Sequence, residues 1–332
     1  MKLKEYHSYQ PLEHQDVIEE YCIDYLKQSP DVETKFGIYS NPIGIEIELE
    51  NFCVVKSIPY ELCMWQFIED SSLKIMGREL VSYPMSGRAI DVALDQYKGI
   101  LNCLADKPDT GHRCSIHVHV NVRELTQPQL TAFVASYACL EQLFFSLVKD
   151  HRKGNSYCYP LTDLHPDSAS IMKYDPAFKY CAFNTDPVLR YGTVEFRHFH
   201  ATTDIKEITR WLQLICKLYK FVANTPPLEI RKQIMRMNSL STYSHFVDNI
   251  FLPLGFMFDN RHLQELMEDE VAWAKQFLLA NKHKLTAHFV GDIKKGMQIK
   301  KAPINMIFNI PQFVDVPMEE DQQLEEEEEV DS

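Results

Sequence analysis

The sequence predicts an α+β fold: a mostly antiparallel sheet with helices against one face and a functional site on the other. Three short stretches alternate apolar and charged residues with the two-residue period of a strand. They are Gly44-Ile45-Glu46-Ile47-Glu48-Leu49-Glu50, Ser115-Ile116-His117-Val118-His119-Val120 and Thr193-Val194-Glu195-Phe196-Arg197-His198-Phe199. Long segments with apolar residues at helical spacing separate and follow them. This order is neither a βαβαβ alternation nor all-helical.

Taken in order, weak helical periodicity over residues 12 to 28 (Leu12, Val17, Ile18, Tyr21, Cys22, Tyr25, Leu26) predicts a lead-in helix. Asn41-Pro42 opens the acidic strand, whose continuation through Phe52 to Val55 stays open. Pro59 to Ile68 reads as a short helix, Asp70-Ser71-Ser72 as a turn, and Glu79 to Tyr83 as a short strand that Pro84 stops. From Ser86 to about Ala105 the spacing of Ile90, Ala93, Leu94, Tyr97, Leu101 and Leu104 predicts a helix. The double-His strand follows. Thr126-Gln127-Pro128-Gln129 is a capping box with an early proline, opening a helix to about Lys149. Residues 151 to 178 lack periodicity and predict a long loop, a class often functional. A strand near Lys179 to Asn184 precedes the Glu-Phe-Arg strand, and Asp204-Ile205-Lys206-Glu207 is a second capping box for a helix to about Val222. The remainder is helical to about residue 290 and then irregular. The expected divisions are a helical lead-in (1–40), a catalytic core (41–225), a C-terminal helical extension (226–315) and a disordered acidic tail (316–332).

Bulk properties narrow the function classes. The formal charge is −13, but ten acids from Asp315 onward account for most of it and the rest stands at −3. So balanced a body predicts no nucleic-acid partner. The nine cysteines form no CxxC pair, and Cys139 and Cys216 fall on apolar helix sides, which favours a reducing compartment. The start, Met1-Lys2-Leu3-Lys4-Glu5-Tyr6-His7, leads into no apolar run, and nothing approaches the roughly 18 apolar residues that span a bilayer. A soluble, cytoplasmic protein without a membrane partner is the expectation.

The polar strand faces carry the chemistry. Glu46, Glu48 and Glu50 point one way, while Ile45, Ile47 and Leu49 face a core. A solvated face is the plain reading of such glutamates; against it, like charges on one strand face repel, and a hard cation such as Mg²⁺ or Mn²⁺ relieves the repulsion. Glu50, at the strand end, reads as a solvated or supporting charge. Glu79, flanked by Leu80 and Val81, offers another carboxylate, whereas Asp70 is most simply a turn residue. His117 and His119 share a face with Ser115, and two imidazoles at that spacing read as a metal or phosphate pair. Zinc would want nitrogen and sulfur ligands, but Cys114 points to the opposite face, so Mg²⁺ or Mn²⁺ is favoured. Glu195 and Arg197 form either an ordinary ion pair or a cation ligand beside a phosphate-gripping fork. His198 faces away, and His200 joins them only if the strand continues. Arg113, Lys179 and Arg190 are further candidate cations, and Asn184 either bonds substrate or caps a turn.

The order of these signals is more specific than any one of them. E-x-E, then D-x-S-L with G-x-E-L-V-S-x-P, then H-V-H-V, then T-V-E-F-R resembles the amidoligase family over about residues 40 to 225. That family groups with carboxylate–amine ligases of glutamine-synthetase-like fold, alongside glutamate–cysteine ligases. The resemblance implies an open antiparallel barrel binding ATP through divalent cations, Mg²⁺ or Mn²⁺. It implies metal ligands at Glu46, Glu48, Glu79, His117 and Glu195, with Asp70 in support. It also implies nucleotide phosphates at His119 and a phosphate- or carboxylate-holding Arg197. The implied reaction is amide or peptide bond formation through an acyl phosphate, from small-molecule or peptide carboxylate and amine substrates. Two departures stand out. Thr193 occupies the place of an Arg found in glutamine synthetases, for which Lys179 or Arg190 are the candidate substitutes. The turn also reads Asp70-Ser71-Ser72 where Asp-Gly-Ser is common. A guanidino-kinase-like phosphotransferase, a non-catalytic scaffold protein and a metal-dependent hydrolase are the alternatives.

Overall fold

Strand β1, Ile43–Leu49, lies near the middle of a six-stranded antiparallel sheet. The other strands are β2 (Trp65–Ile68), β3 (Arg78–Ser82), β4 (Ser115–Asn121), β5 (Phe183–Asn184) and β6 (Thr193–His200), in spatial order β2-β3-β1-β4-β6-β5. The computed structural model describes residues 15–56, 64–74, 76–166 and 179–282. The acidic tail, the irregular stretch after about residue 290 and much of the expected 151–178 loop lie outside the described residues.

Apolar side chains on one face of the sheet make the core. Ile45, Ile47, Leu49, Ile116, Val118, Val120, Val194 and Phe196 are all fully buried, as alternation requires. Nine helices among the described residues accompany the sheet. They are α1 (Gln15–Gln28), α2 (Arg88–Leu101), α3 (Gln127–Ala138), α4 (Glu141–Ser146), α5 (Pro187–Tyr191), α6 (Ile205–Asn224), α7 (Pro227–Met235), α8 (Leu240–Phe251) and α9 (Asn260–Ala280). Phe133 and Tyr137 of α3 pack on Phe183 and Phe196, Trp211 of α6 stacks on Phe199, and Tyr97 of α2 meets Trp65. Helices therefore cover the apolar face. No helix among the described residues is long and apolar enough to cross a membrane.

The structure corrects several element boundaries. Residues 65–68, expected as the end of a helix, form β2: Trp65 and Phe67 alternate toward the core, and Trp65 Nε1 donates to the Ala93 carbonyl at 2.8 Å. The helix expected to run unbroken to Lys149 ends at Ala138 and restarts at Glu141. Long-range partners absorb the backbone groups freed at the break: Tyr243 donates to the Cys139 carbonyl, and Glu270 of α9 accepts the Gln142 N–H at 2.6 Å. The strand expected over 179–184 is only Phe183–Asn184. Thr126 and Gln129 do form a capping box, but at the second proposed box Asp204 accepts from the Lys206 N–H, while Glu207 turns to Thr202.

The turn that feeds β6 depends on one glycine. Gly192 has φ +66°, and a Cβ there would lie 2.5 Å from Arg123 side-chain atoms. Arg123 in turn donates to the Tyr191 carbonyl at 2.9 Å. Gly192→Ala combines a left-handed backbone with displacement of Arg123, so it should destabilise the protein by about 1–3 kcal/mol. Thermal unfolding measures this as a lowered midpoint; an unchanged midpoint would refute the role of the turn.

Candidate active site

Register between neighbouring strands assembles the charged face. Glu46 pairs with His117, Glu48 with Glu79, and His119 with Glu195. Residues paired across antiparallel strands share a face, so the three sequence motifs meet on β1, β4 and β6. Gly44 lies opposite His119.

At the centre stands Glu46. Its Oε2 lies 3.3 Å from His117 Nδ1 and its Oε1 3.3 Å from His119 Nε2. Glu195 Oε1 is 3.5 Å from the same His117 nitrogen, 3.8 Å from His119 Nε2 and in contact with Arg197 Nη1. The other Glu195 oxygen accepts from Asn184 Nδ2 at 2.7 Å, while Asn184 Oδ1 accepts the Asp186 N–H at 2.9 Å, the turn role expected of it. Glu48 is held by Ser115, through its backbone N–H (2.9 Å) and its hydroxyl, and that hydroxyl lies 2.9 Å from His117 Nε2. His119 Nδ1 is 3.0 Å from Thr193 Oγ1.

A β-bulge fixes where this face ends. Opposite Ile116 and Val118, β6 passes from Phe199 to Phe196, one residue more than its partner. His198 and Phe199 consequently both turn to the helices and pack on Trp211. The strand does continue, and His200 comes opposite Ser115 on the polar side. There it accepts from the Lys149 N–H at 3.4 Å and faces Glu207.

Protons and carboxylates balance one another in this cluster. Burial pushes the Glu46 carboxyl up, but His119 and His117 outweigh it and hold the group well below the usual carboxylate range. Burial would likewise lower His119, yet Glu46 and Glu195 raise it to about 9. Glu79 is raised to about 8 by burial and then by repulsion from Glu46, Glu48, Asp70 and Glu195. At neutral pH a proton on His119 thus lies between carboxylates that would otherwise repel. A divalent cation fits the same place: ligand atoms of Glu46, His119 and Glu195 all lie within 4.8 Å of one another. Two carboxylates and one imidazole are donor types that divalent cations accept. Cys114, whose thiol points to the Asp109 carbonyl, does not join the set.

Not every sequence candidate arrives. Glu50, read as a solvated or supporting charge, is buried and grips Arg113 with both oxygens, at 2.9 and 3.0 Å, besides accepting the Lys74 N–H. Arg113 is thereby committed as a structural partner. Asp70 accepts the Ser72 N–H at 2.7 Å, the turn role, and reaches the cluster only through its charge on Glu79. Lys179 lies over the Tyr180 ring at 5.3 Å, and that ring packs on Tyr157, whose carbonyl is 3.5 Å from Arg197 Nε. Arg190 is exposed on α5. The roles of Ser115 and Thr193 were not assigned from sequence; their only signal was a shared face with His117 and Glu195.

Residues 48–170 match the family model described as putative amidoligase enzyme. The match supports the amidoligase resemblance. It indicates an enzyme of ligase type. None of the curated proteins compared matches the chain. Glu48, Asp70, Glu79, His117 and His119 fall inside the amidoligase match, whereas Glu46, Glu195 and Arg197 lie outside it and are joined to it by strand pairing.

Thr193 holds the position where the resemblance led to an Arg. Here its hydroxyl lies 3.0 Å from His119 Nδ1, placed to accept an N–H from that nitrogen and so to direct Nε2 toward Glu46. Thr193→Val should therefore weaken Mn²⁺ binding about 10- to 100-fold while Thr193→Ser retains it. Titration with Mn²⁺ followed by its paramagnetic signal measures this; equal affinities in both variants would refute the assignment.

Proposed function

We propose that this protein is an ATP-dependent carboxylate–amine ligase that forms an amide or peptide bond through an acyl phosphate and uses divalent cations. The observation that carries the reading is the convergence of Glu46, His119 and Glu195 beside Arg197, within a cluster so rich in carboxylates that Glu79 resists ionisation. The family match supports the ligase type.

Glu46, His119 and Glu195 would hold a divalent cation, with Glu48, Glu79 and His117 available to a second. Such a cation supplies charge neutralisation on the polyphosphate of ATP. The chain's own residues do the rest. His119 must shed its Nε2 proton, and Thr193 accepts from Nδ1–H so that the imidazole keeps the tautomer that binding needs. Arg197, now paired with Glu195, would be the guanidinium available to hold the transferring phosphoryl group or the substrate carboxylate when Glu195 serves as a ligand. In the reaction, a carboxylate oxygen attacks the γ-phosphorus and the bond to ADP breaks. An amine then attacks the acyl carbon, inorganic phosphate leaves, and the amine proton passes to solvent or a nearby base.

ADP release with Mg²⁺, screened over pools of amino acids and small peptides with mass detection of products, tests this. An amide product that forms only with ATP and matches the ADP released supports the reading. A stable phosphorylated guanidine would assign a guanidino kinase instead, and turnover without ATP a hydrolase. No product, together with no binding of Mn²⁺ and ATP, would mark a non-catalytic scaffold.

A further inference from the structure

Arg152 carries a buried guanidinium with no acid against it. It ends a single 3-10 turn, Asp150–Arg152, and is 2% exposed. Its Nη2 donates to the backbone carbonyl of Arg197 at 2.7 Å, while its Nε has no hydrogen-bond partner. No ion pair holds its charge among the described residues. An unpaired buried charge is costly and persists only where its surroundings offset it. Burial works against the Arg152 charge, Cys158 and Glu48 favour it, and the like charge of Arg197 opposes it.

The carbonyl that Arg152 grips sits at the bulge. The Arg197 N–H donates to the Ala182 carbonyl at 2.8 Å, so the residue is fixed on its nitrogen side by β5's neighbour and on its carbonyl side by Arg152. The turn carrying Arg152 is itself secured, since the Cys158 thiol donates to the Arg152 carbonyl at 3.4 Å. This matters because the position two before Glu195 holds Thr193 rather than an Arg, and the sequence's substitutes, Lys179 and Arg190, are both exposed. Arg152 is a guanidinium buried against Arg197.

We propose that Arg152 is a positioning residue that sets Arg197 at the bulge and supplies the site with a second, buried positive charge, so that an anionic phosphoryl group is held beside the cation. The proposal rests on the reading that the Glu46 cluster binds a divalent cation. With the cation absent, the Arg152 charge partly balances the carboxylates; with it bound, Arg152 and Arg197 become surplus positive charge for a phosphate. Cation and anion affinity should thus respond to Arg152 with opposite sign, a signature that a packing role would not produce.

The test uses the full chain with Arg152→Gln, which removes the charge but retains an N–H for the Arg197 carbonyl, and Arg152→Lys, which retains the charge. Two affinities are measured: Mn²⁺ alone by its paramagnetic signal, and ADP at saturating Mn²⁺ by calorimetry. Arg152→Gln should bind Mn²⁺ about three- to tenfold more tightly and ADP about tenfold or more weakly. Arg152→Lys should stay within about threefold of the parent on both. Shifts of the same sign, no shift, or an Arg152→Lys protein as impaired in ADP binding as Arg152→Gln would each overturn the proposal. If Arg152→Gln does not fold, Arg152→Met, uncharged and of similar length, is read against Arg152→Lys by the same criterion. A parent protein that binds no Mn²⁺ overturns the ligase reading and this proposal together; one that binds Mn²⁺ and ADP with unmoved variants overturns only the role of Arg152.

Discussion

Glu46→Gln should lower Mg²⁺-dependent ADP release by about 10²- to 10³-fold or more while leaving the fold intact. Glu46 is the carboxylate that both imidazoles of the site face, and it is one of three residues whose ligand atoms converge within 4.8 Å. Gln keeps its size and one acceptor oxygen, so the substitution removes charge rather than packing. A second consequence follows at His119, because the Coulombic pull of Glu46 is the leading influence that raises it. In Glu46→Gln the His119 titration, followed by NMR, should move down from about 9. Glu48→Ala should abolish turnover as well, but by another route: it frees Ser115, whose hydroxyl now links Glu48 to His117. Wild-type turnover with unchanged Mg²⁺ dependence in Glu46→Gln would remove the cluster from the chemistry altogether.

How much of this was legible beforehand depends on whether the physics was local. Strand periodicity is local, and it placed Glu46 and Glu48, His117 and His119, and Glu195 and Arg197 on the polar side of β1, β4 and β6 correctly. The capping box at Thr126 is local and formed as read. What periodicity cannot encode is which strand lies beside which, and that is why Trp65–Ile68 read as a helix: four residues say little until Glu79–Ser82 pairs with them. The break between α3 and α4 was hidden for a similar reason, since its partners Tyr243 and Glu270 lie more than a hundred residues away. Charged residues behaved likewise. Arg113 looked free because Glu50, its bidentate partner, stands 63 positions earlier. Arg152 carried no signal at all, for only the bulge at Arg197 gives its burial a meaning. His200 joined the polar side as expected of a continuing strand, but it does so through the extra residue of the bulge.

Cation binding should strengthen steeply as pH rises from about 6 to 9, because the cation must displace protons that the metal-free site retains. His119 titrates near 9 and Glu79 near 8 in the folded chain, both above the values of about 6.5 and 4.5 for free side chains. Between pH 6 and 8 the folded protein therefore holds a proton on each, and each proton released on binding contributes about a tenfold gain in affinity per pH unit. The dependence should approach two protons below pH 8 and flatten above about 9. The same protons set the stability of the metal-free protein. Where the folded state binds more protons than the unfolded one, stability falls with rising pH. For Glu79 that window runs from about 4.5 to about 8, and for His119 from about 6.5 to about 9, so both contributions are present below and lost above. Glu46, held low by the imidazoles, acts in the opposite sense and contributes stability above about 4.5 that is lost as pH falls. Thermal unfolding in EDTA should show a midpoint that drops between pH 6.5 and 9, and added Mn²⁺ should remove most of that drop by replacing the lost protons as counter-charge. Calorimetry in buffers of different ionisation enthalpy counts the protons directly. If Mn²⁺ bound without releasing any, the cation would be held somewhere other than at the Glu46–His119–Glu195 cluster.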